Sequence, residues 1–309
     1  MRGGRRLLLP LAGLGALVVF PHVFNPYFTS VLLQIFMFTA LATSWNIISG
    51  YVGYISFGHV AFFGVGAYVG ALLIKDLAVH WLPAALAGGL GSLLISALIG
   101  YPCLRLRGPY FAIAMLGLAE LMAVIVSMLE PITRGGLGID LPPVRDIVSV
   151  YYAMGATALV VVLVTYWINS TRFGLQLLAI REDEVAAGAL GINTTLRKLQ
   201  AFMLSAIFPG VVGGIYAWYV SYIDPSTVFS ILLTLQMVVM TMFGGRGTVQ
   251  GPVLGAFILY LISEVTWAQF PFLHQAIFGA LMVLIVVFAP RGIMGFLHER
   301  GLVAYRHFG

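Results

Sequence analysis

Residues 148–168 read VSVYYAMGATALVVVLVTYWI, without a charged side chain, and after a short joint residues 172–198 read RFGLQLLAIREDEVAAGALGINTTLRK. As a helix the first stretch is about 32 Å long, enough to cross a hydrocarbon core of about 30 Å. The second stretch is a polar, alanine-rich island holding Arg172, Arg181, Glu182, Asp183, Glu184, Arg197 and Lys198. A membrane crossing followed by a helix-prone aqueous segment fixes the class, an α-helical membrane protein. A flexible connector needs only a few turn residues, so the island's length and helix propensity imply that something docks on it.

Working outward, the same alternation recurs along all 309 residues, which are 61% hydrophobic and 9% charged. The mean hydropathy of +1.01 and the low charge lie far from a soluble domain, about a quarter of whose residues are charged. Apolar runs predict ten spans, at about 7–24, 28–48, 54–74, 81–101, 109–129, 148–168, 199–220, 227–243, 249–267 and 272–289. The start, MRGGRRLLLPLAGLGALVVF, has a basic then apolar pattern with no convincing small-residue cleavage site after it, and reads as an uncleaved first helix.

Basic residues orient the chain. With the N-terminus in the cytoplasm, Arg2, Arg5, Arg6, Arg105, Arg107, Arg172, Arg181, Arg197, Lys198, Arg246, Arg291, Arg300 and Arg306 fall inside. Only Lys75, Arg134 and Arg145 fall outside, so both termini and the island are expected in the cytoplasm. This topology accounts for the net charge of +5 without nucleic acid. A lone cysteine, Cys103, excludes an intramolecular disulfide, and no CxxC suggests a metal. No metal and no cofactor is expected on this chain.

The chain reads as one transmembrane domain, 1–309, with a cytoplasmic loop at 169–198 and an outer loop at 130–147. Five spans precede the outer loop and five follow it, and an odd-numbered half implies that any internal repeat is inverted in the membrane. Segment 50–70, GYVGYISFGHVAFFGVGAYVG, reads either as a clean span or as a discontinuous helix lining a cavity.

Several constellations bear on function. Arg181–Leu190 predicts one short helix with Glu182, Asp183 and Glu184 in its first turn, where acids complement the dipole, and Gly191 as its stop. Ala186 and Ala187 give it a small-residue body that a partner groove approaches closely; the plain alternative is a helix lying on lipid headgroups. Glu120 lies mid-span, where an ionisable group costs about 2.5–3.5 kcal/mol and needs an interior or wet setting. It reads as a pathway carboxylate or, with the balance in its favour, as a structural acid bonded across helices. Ser56 and His59 have the spacing of a nucleophile and base, but no second motif supports hydrolysis, and polar glue between helices explains them better. Thr133, Gly135 and Gly136 sit in a Gly/Pro-rich outer loop that reads as a turn or as an anion-facing nest. Pro209 predicts a kink in the seventh span. No phosphate-binding loop exists: the only lysines, Lys75 and Lys198, each lack a preceding glycine. ATP coupling therefore needs a partner.

Five motifs stand out: Gly50-Tyr-Val-Gly-Tyr-Ile-Ser-Phe-Gly-His59, Leu104-Arg-Leu-Arg-Gly-Pro-Tyr-Phe-Ala-Ile113, Thr133-Arg-Gly-Gly-Leu-Gly-Ile139, Ala179 through Asn193, and Gly244-Gly-Arg-Gly-Thr248. Together they resemble one family, the permeases of branched-chain amino-acid ABC importers, LivM type of a LivH/LivM pair. The resemblance implies an all-α polytopic fold of about ten helices with a type II-like importer architecture in the bacterial inner membrane. It implies a homologous second permease, two ABC ATPase subunits carrying ATP and magnesium, and a periplasmic substrate-binding protein as partners. It assigns ATPase docking to Arg181, Glu182, Asp183, Glu184, Ala186, Ala187, Leu190 and Gly191. Ala187 and Gly191 keep the spacing of the E-A-A-x-x-x-G permease motif, although Val185 and the missing I-x-L-P depart from it. The reading assigns Ser56, His59 and Glu120 to the pathway, and Thr133, Gly135 and Gly136 to an outer gate or binding-protein contact. Urea or short amides are an alternative cargo, and an ion-coupled secondary transporter using Glu120 or Glu264 an alternative class.

Overall fold

The computed structural model describes residue 15, residues 17–270, positions 273, 276, 279–280 and 283–284, and residues 292–300. Most of the expected first and last spans, with Arg2, Arg5, Arg6, Arg291 and Arg306, lies outside the described residues. Helix α1 (Pro26–Asn46, prolonged by a π-helical turn Ile47–Val52) is followed by α2 (His59–Leu77), α3 (Trp81–Cys103), α4 (Pro109–Met128) and α5 (Ile147–Asn169). The island forms α6 (Arg172–Glu182) and α7 (Glu184–Ala189). After it come α8 (Thr194–Val220), α9 (Ile231–Gly244), α10 (Gln250–Gln269) and α11 (Gly292–Glu299). Among the described residues, eight segments are long and apolar enough to cross a membrane, and they match the second to ninth expected spans.

Local chemistry starts these helices where the sequence changes character. Asn25 accepts from the Phe28 amide with Pro26 in the first turn, Asp146 accepts from Val148, and Asn193 accepts from Leu196 at 3.0 Å. Each cap satisfies a backbone donor that has no partner within its own helix. Pro209 sits inside α8 without ending it.

α1 and α8 form the centre of the bundle: 78% and 72% of their membrane windows are buried, against 28% for α4, α5 and α10. α8 packs closely on α2 and α3 because Gly66, Gly88 and Gly210 meet there. A Cβ on Gly66 would overlap the Gly210 carbonyl oxygen, and one on Gly88 would stand 2.6 Å from the Gly66 carbonyl oxygen. Small residues replace the hydrophobic drive that helices lose in lipid by letting backbones touch.

Two breaks interrupt the bundle. After Val52 the chain turns at Gly53 (φ +85°), a left-handed conformation suited to glycine, and runs without helix to His59. Trp45 Nε1 donates to Ser56 O at 2.7 Å and Ser49 Oγ to Tyr54 O at 3.0 Å, so the break folds back along α1. The 50–70 segment is thus discontinuous, and its helix begins at His59 rather than at 54. The second break follows α8 at Ser221. It holds a two-residue strand, Tyr222–Ile223, paired antiparallel with Ile139–Asp140, and a one-turn helix Pro225–Val228 capped by Asp224. α9, 14 residues long, is too short to span about 30 Å alone and crosses together with that turn. The helices after the two breaks touch: Val60 N donates to Thr234 Oγ1 at 3.1 Å, and Phe229 stacks on Tyr68 at 6.1 Å.

Candidate functional site

The polar island is not the single helix 181–190 that the sequence predicts. Asp183 is extended (φ −155°, ψ 111°) and separates α6 from α7. Aspartate is among the strongest N-caps. Its Oδ1 accepts from Val185 N at 2.8 Å and Ala186 N at 3.0 Å, and these amides hold its carboxyl below the ordinary range. Glu182 therefore ends α6 instead of opening a helix, and only Glu184 lies in a first turn. Gly191 does close the segment, at φ +82°.

The island is bolted to the break after α1. Arg181 Nη1 donates to Gly50 O at 2.9 Å, while its Nη2 lies 3.4 Å from Glu182 Oε1. The Lys198 side chain is 4% exposed, and its ammonium donates to Glu184 Oε1 at 2.6 Å, Tyr54 Oη at 3.0 Å and Leu104 O at 3.2 Å. All three ammonium protons are thereby used. Tyr54 Oη donates in turn to Glu184 Oε2 at 2.9 Å, Thr194 Oγ1 reaches Glu184 Oε1 at 3.4 Å, and Arg107 Nε lies 3.6 Å from Oε2. Burial pushes the Glu184 carboxyl up, but the bonds from Lys198 and Tyr54 and the charges of Lys198 and Arg107 outweigh it and hold it below the usual carboxylate range.

One face of α7 is left over. Val185 is 69% exposed and Leu190 81%, with Ala186 and Gly188 between them also exposed. A Cβ on Gly188 or Gly191 meets nothing within 4 Å. Ala187 points the other way: it is 2% exposed and packs into its own chain. The island thus presents a rigidly mounted apolar face while its acids and bases face inward or along the rim.

Motifs far apart in sequence converge here. Buried Asn46 accepts from Gly247 N at 2.7 Å and donates to Thr248 O at 2.9 Å, which fastens the Gly244–Thr248 turn to α1. With the Gly50 carbonyl on Arg181, Tyr54 on Glu184 and Leu104 on Lys198, four of the five quoted motifs meet at one end. Tyr54, Asn46, Arg107 and Lys198 were absent from the site the sequence suggests. A lone lysine at the head of an apolar span was the available signal, since such a group demands partners.

The remaining candidates separate. Ser56 Oγ and His59 Nδ1 meet at 3.0 Å, both fully buried, in a local contact across the start of α2 that joins no second helix; among the described residues His59 Nε2 has no hydrogen-bond partner. Glu120 touches neither. It lies on the exposed side of α4 with no hydrogen bond or ion pair among the described residues, so the expected structural acid bonded across helices of this chain is not what forms. α4 carries Ile113, Gly117, Glu120, Val124 and Met128 along one helical face, and these residues are exposed. At the other end, Thr133 is a buried helix-terminating residue whose Oγ1 donates to Leu129 O at 2.8 Å and accepts from Gly135 N at 3.3 Å. The Gly135 amide is therefore not free for an anion; Gly136 is exposed in open space.

The family described as a branched-chain amino acid transport system permease component matches residues 27–286. The chain is similar to the high-affinity branched-chain amino acid transport system permease protein LivM of Salmonella typhimurium (strain LT2), at 26% identity over 94% of this chain and 75% of the relative. It is also similar to the corresponding LivH permease of that organism, at 24% identity over 84% of this chain and 91% of the relative. A probable LivM permease of Methanocaldococcus jannaschii is 25% identical over 72% of this chain and 70% of the relative. No solved structure matches.

Proposed function

The chain belongs to the branched-chain amino acid transport permeases, and from that membership we propose how it works in its transporter. As a permease subunit of an ABC transporter it is a multi-pass membrane protein and does no bond-breaking chemistry of its own. The cargo is a branched-chain, aliphatic amino acid, received from a periplasmic binding protein near loop 130–147. Two separate ATPases supply ATP chemistry, and a homologous second permease completes the pathway. The island lies in the cytoplasm with both termini, as the basic-residue bias requires, and ten spans cross the inner membrane. The two breaks each follow the C-terminal end of their helix, α1 and α8, which in this topology lie on opposite membrane faces, and so support an inverted repeat pairing α1–α2 with α8–α9.

One observation carries the docking assignment: the exposed Val185–Leu190 face on a loop otherwise locked by polar contacts to the buried Lys198 and the Gly50 carbonyl. Apolar residues standing free in water beside an ion-paired mount are what a partner's groove covers. Gly188 tests it better than Ala187, because Gly188 is exposed and a Cβ there meets nothing within 4 Å in this chain, whereas Ala187 is buried. Gly188→Trp is expected to leave the permease folded and to abolish co-purification of the ATPase, with uptake falling to background. Retention of the ATPase by this variant would sink the assignment. Substrate accumulation in vesicles holding the permease alone, driven by a proton gradient, would favour the ion-coupled alternative; a binding protein preferring urea or short amides would change the cargo.

The exposed α4 face supports the second permease and the pathway. An ionised group facing lipid at mid-span costs about 2.5–3.5 kcal/mol, so Glu120 belongs against the partner permease or a wet channel. Glu120→Gln is expected to preserve ATPase docking and lower uptake about tenfold. Failure of the complex to assemble would show instead that Glu120 is structural.

A further inference from the structure

We propose that Tyr54 is the lever through which the docking loop moves α4, and with it the inner end of the pathway. The two ends of this side chain are held by different elements. Its hydroxyl is gripped by the island, donating to Glu184 at 2.9 Å and accepting from Lys198 at 3.0 Å. Its ring packs edge-on against Phe111 of α4, centroids 5.1 Å apart, and Phe111 is fully buried. Between these ends Tyr54 belongs to neither partner: it sits in the break 53–58, and its backbone is tied to the end of α1, its N–H donating to Ile48 O at 3.4 Å and its carbonyl accepting from Ser49 Oγ at 3.0 Å.

The joint is anchored to the end of α1 and is bounded on both sides. Upstream is Gly53, whose left-handed φ of +85° suits glycine, and a Cβ there would stand 2.7 Å from Arg181 Cγ. Downstream, Gly58 lies so close to α4 that a Cβ would overlap the Met115 carbonyl oxygen. A shift of the break is therefore delivered to α4 at two places, Phe111 and Met115. These lie on the helix whose free face bears Glu120. Direct contact between α7 and α4 is not needed, because the hydrogen-bonded hydroxyl fixes the ring's position to that of Glu184. A polar cluster built round the buried Lys198 suits such a joint, since its geometry is specified by directed bonds where an apolar contact would slide.

The inference rests on the ATPase docking at α7, and the test separates the two. Tyr54→Phe keeps the ring on Phe111 and leaves the 2.6 Å Glu184–Lys198 pair in place. Phe111→Leu cuts the other end. In the complete complex, with binding protein and substrate, ATP hydrolysed per substrate transported is measured together with ATPase co-purification. Each variant is expected to assemble, to continue ATP turnover, and to raise that ratio about tenfold, with the double variant no worse than either single one. A variant damaged only in folding lowers uptake and hydrolysis together and leaves the ratio unchanged, which overturns the proposal. So does an unchanged ratio in either variant, an additive double, or loss of the ATPase from Tyr54→Phe. If even the unsubstituted permease fails to bind an ATPase, the docking assignment falls first.

Discussion

Gly66→Val is expected to abolish accumulation of folded permease, with membrane yield and thermal melting in detergent as the readouts. The added Cβ lands on the Gly210 carbonyl oxygen, and Gly88 closes the same crossing from α3. Backbone atoms cannot swing aside as a flexible side chain does, so relief requires α2 and α8 to separate along their contact. Overpacking that side chains absorb costs about 1–3 kcal/mol. Here the obstacle is the central helix of the bundle, with 72% of its membrane window buried. Separation also opens neighbouring crossings, because Gly213 lies against the Phe63 carbonyl and Gly214 stands 2.6 Å, as a Cβ, from Ala85 Cα. A domain's whole stability is about 5–15 kcal/mol, and losses at three crossings exhaust it. Gly136→Val, in a loop where a Cβ meets nothing within 4 Å, is expected to leave yield and melting unchanged. Normal yield from Gly66→Val would mean that α2 and α8 do not touch there.

That crossing also marks how far the sequence could be read. Span positions were legible because hydropathy over some twenty residues averages out local detail, and eight expected spans reappear nearly in place. The helix packing was not, since nothing in the segment around Gly66 says that its partner is Gly210. The break before His59 was half legible: its glycines signalled irregular backbone, but only tertiary bonds such as Trp45 to Ser56 decide where the helix resumes. The island shows a local competition. Arg181, Glu182, Asp183 and Glu184 read naturally as one acidic first turn, yet Asp183 satisfies two free amides by leaving the helix. Capping prevailed over continuity. The alanines misled differently: Ala186 and Ala187 look equivalent in sequence, while a 100° step per residue sends Ala187 into the chain and leaves Ala186 outside.

The buried lock under the island should respond asymmetrically to loss of its two charges. Glu184→Ala strands the Lys198 ammonium, 4% exposed, with only the neutral Tyr54 hydroxyl and Leu104 carbonyl as partners. Removing one partner of a buried pair costs about 3–5 kcal/mol, and that is the expected loss, read as a lowered melting temperature of the permease. Lys198→Met removes the ammonium but leaves Glu184 its bond from Tyr54 at 2.9 Å, Arg107 at 3.6 Å and a side chain still 16% exposed. Its cost is that of a charged hydrogen bond, about 1.5–3 kcal/mol. The double variant should then melt near Lys198→Met, well above Glu184→Ala, because no charge is left stranded. Protonation does reversibly what Glu184→Ala does permanently. The carboxyl is held below its unfolded range, near 4.3, so the lock contributes its full stability above that pH and loses it as pH falls through the lower folded value. Lys198→Met should flatten this acid limb. Equal melting of the two single variants at neutral pH would show that water, and not Glu184, satisfies the lysine.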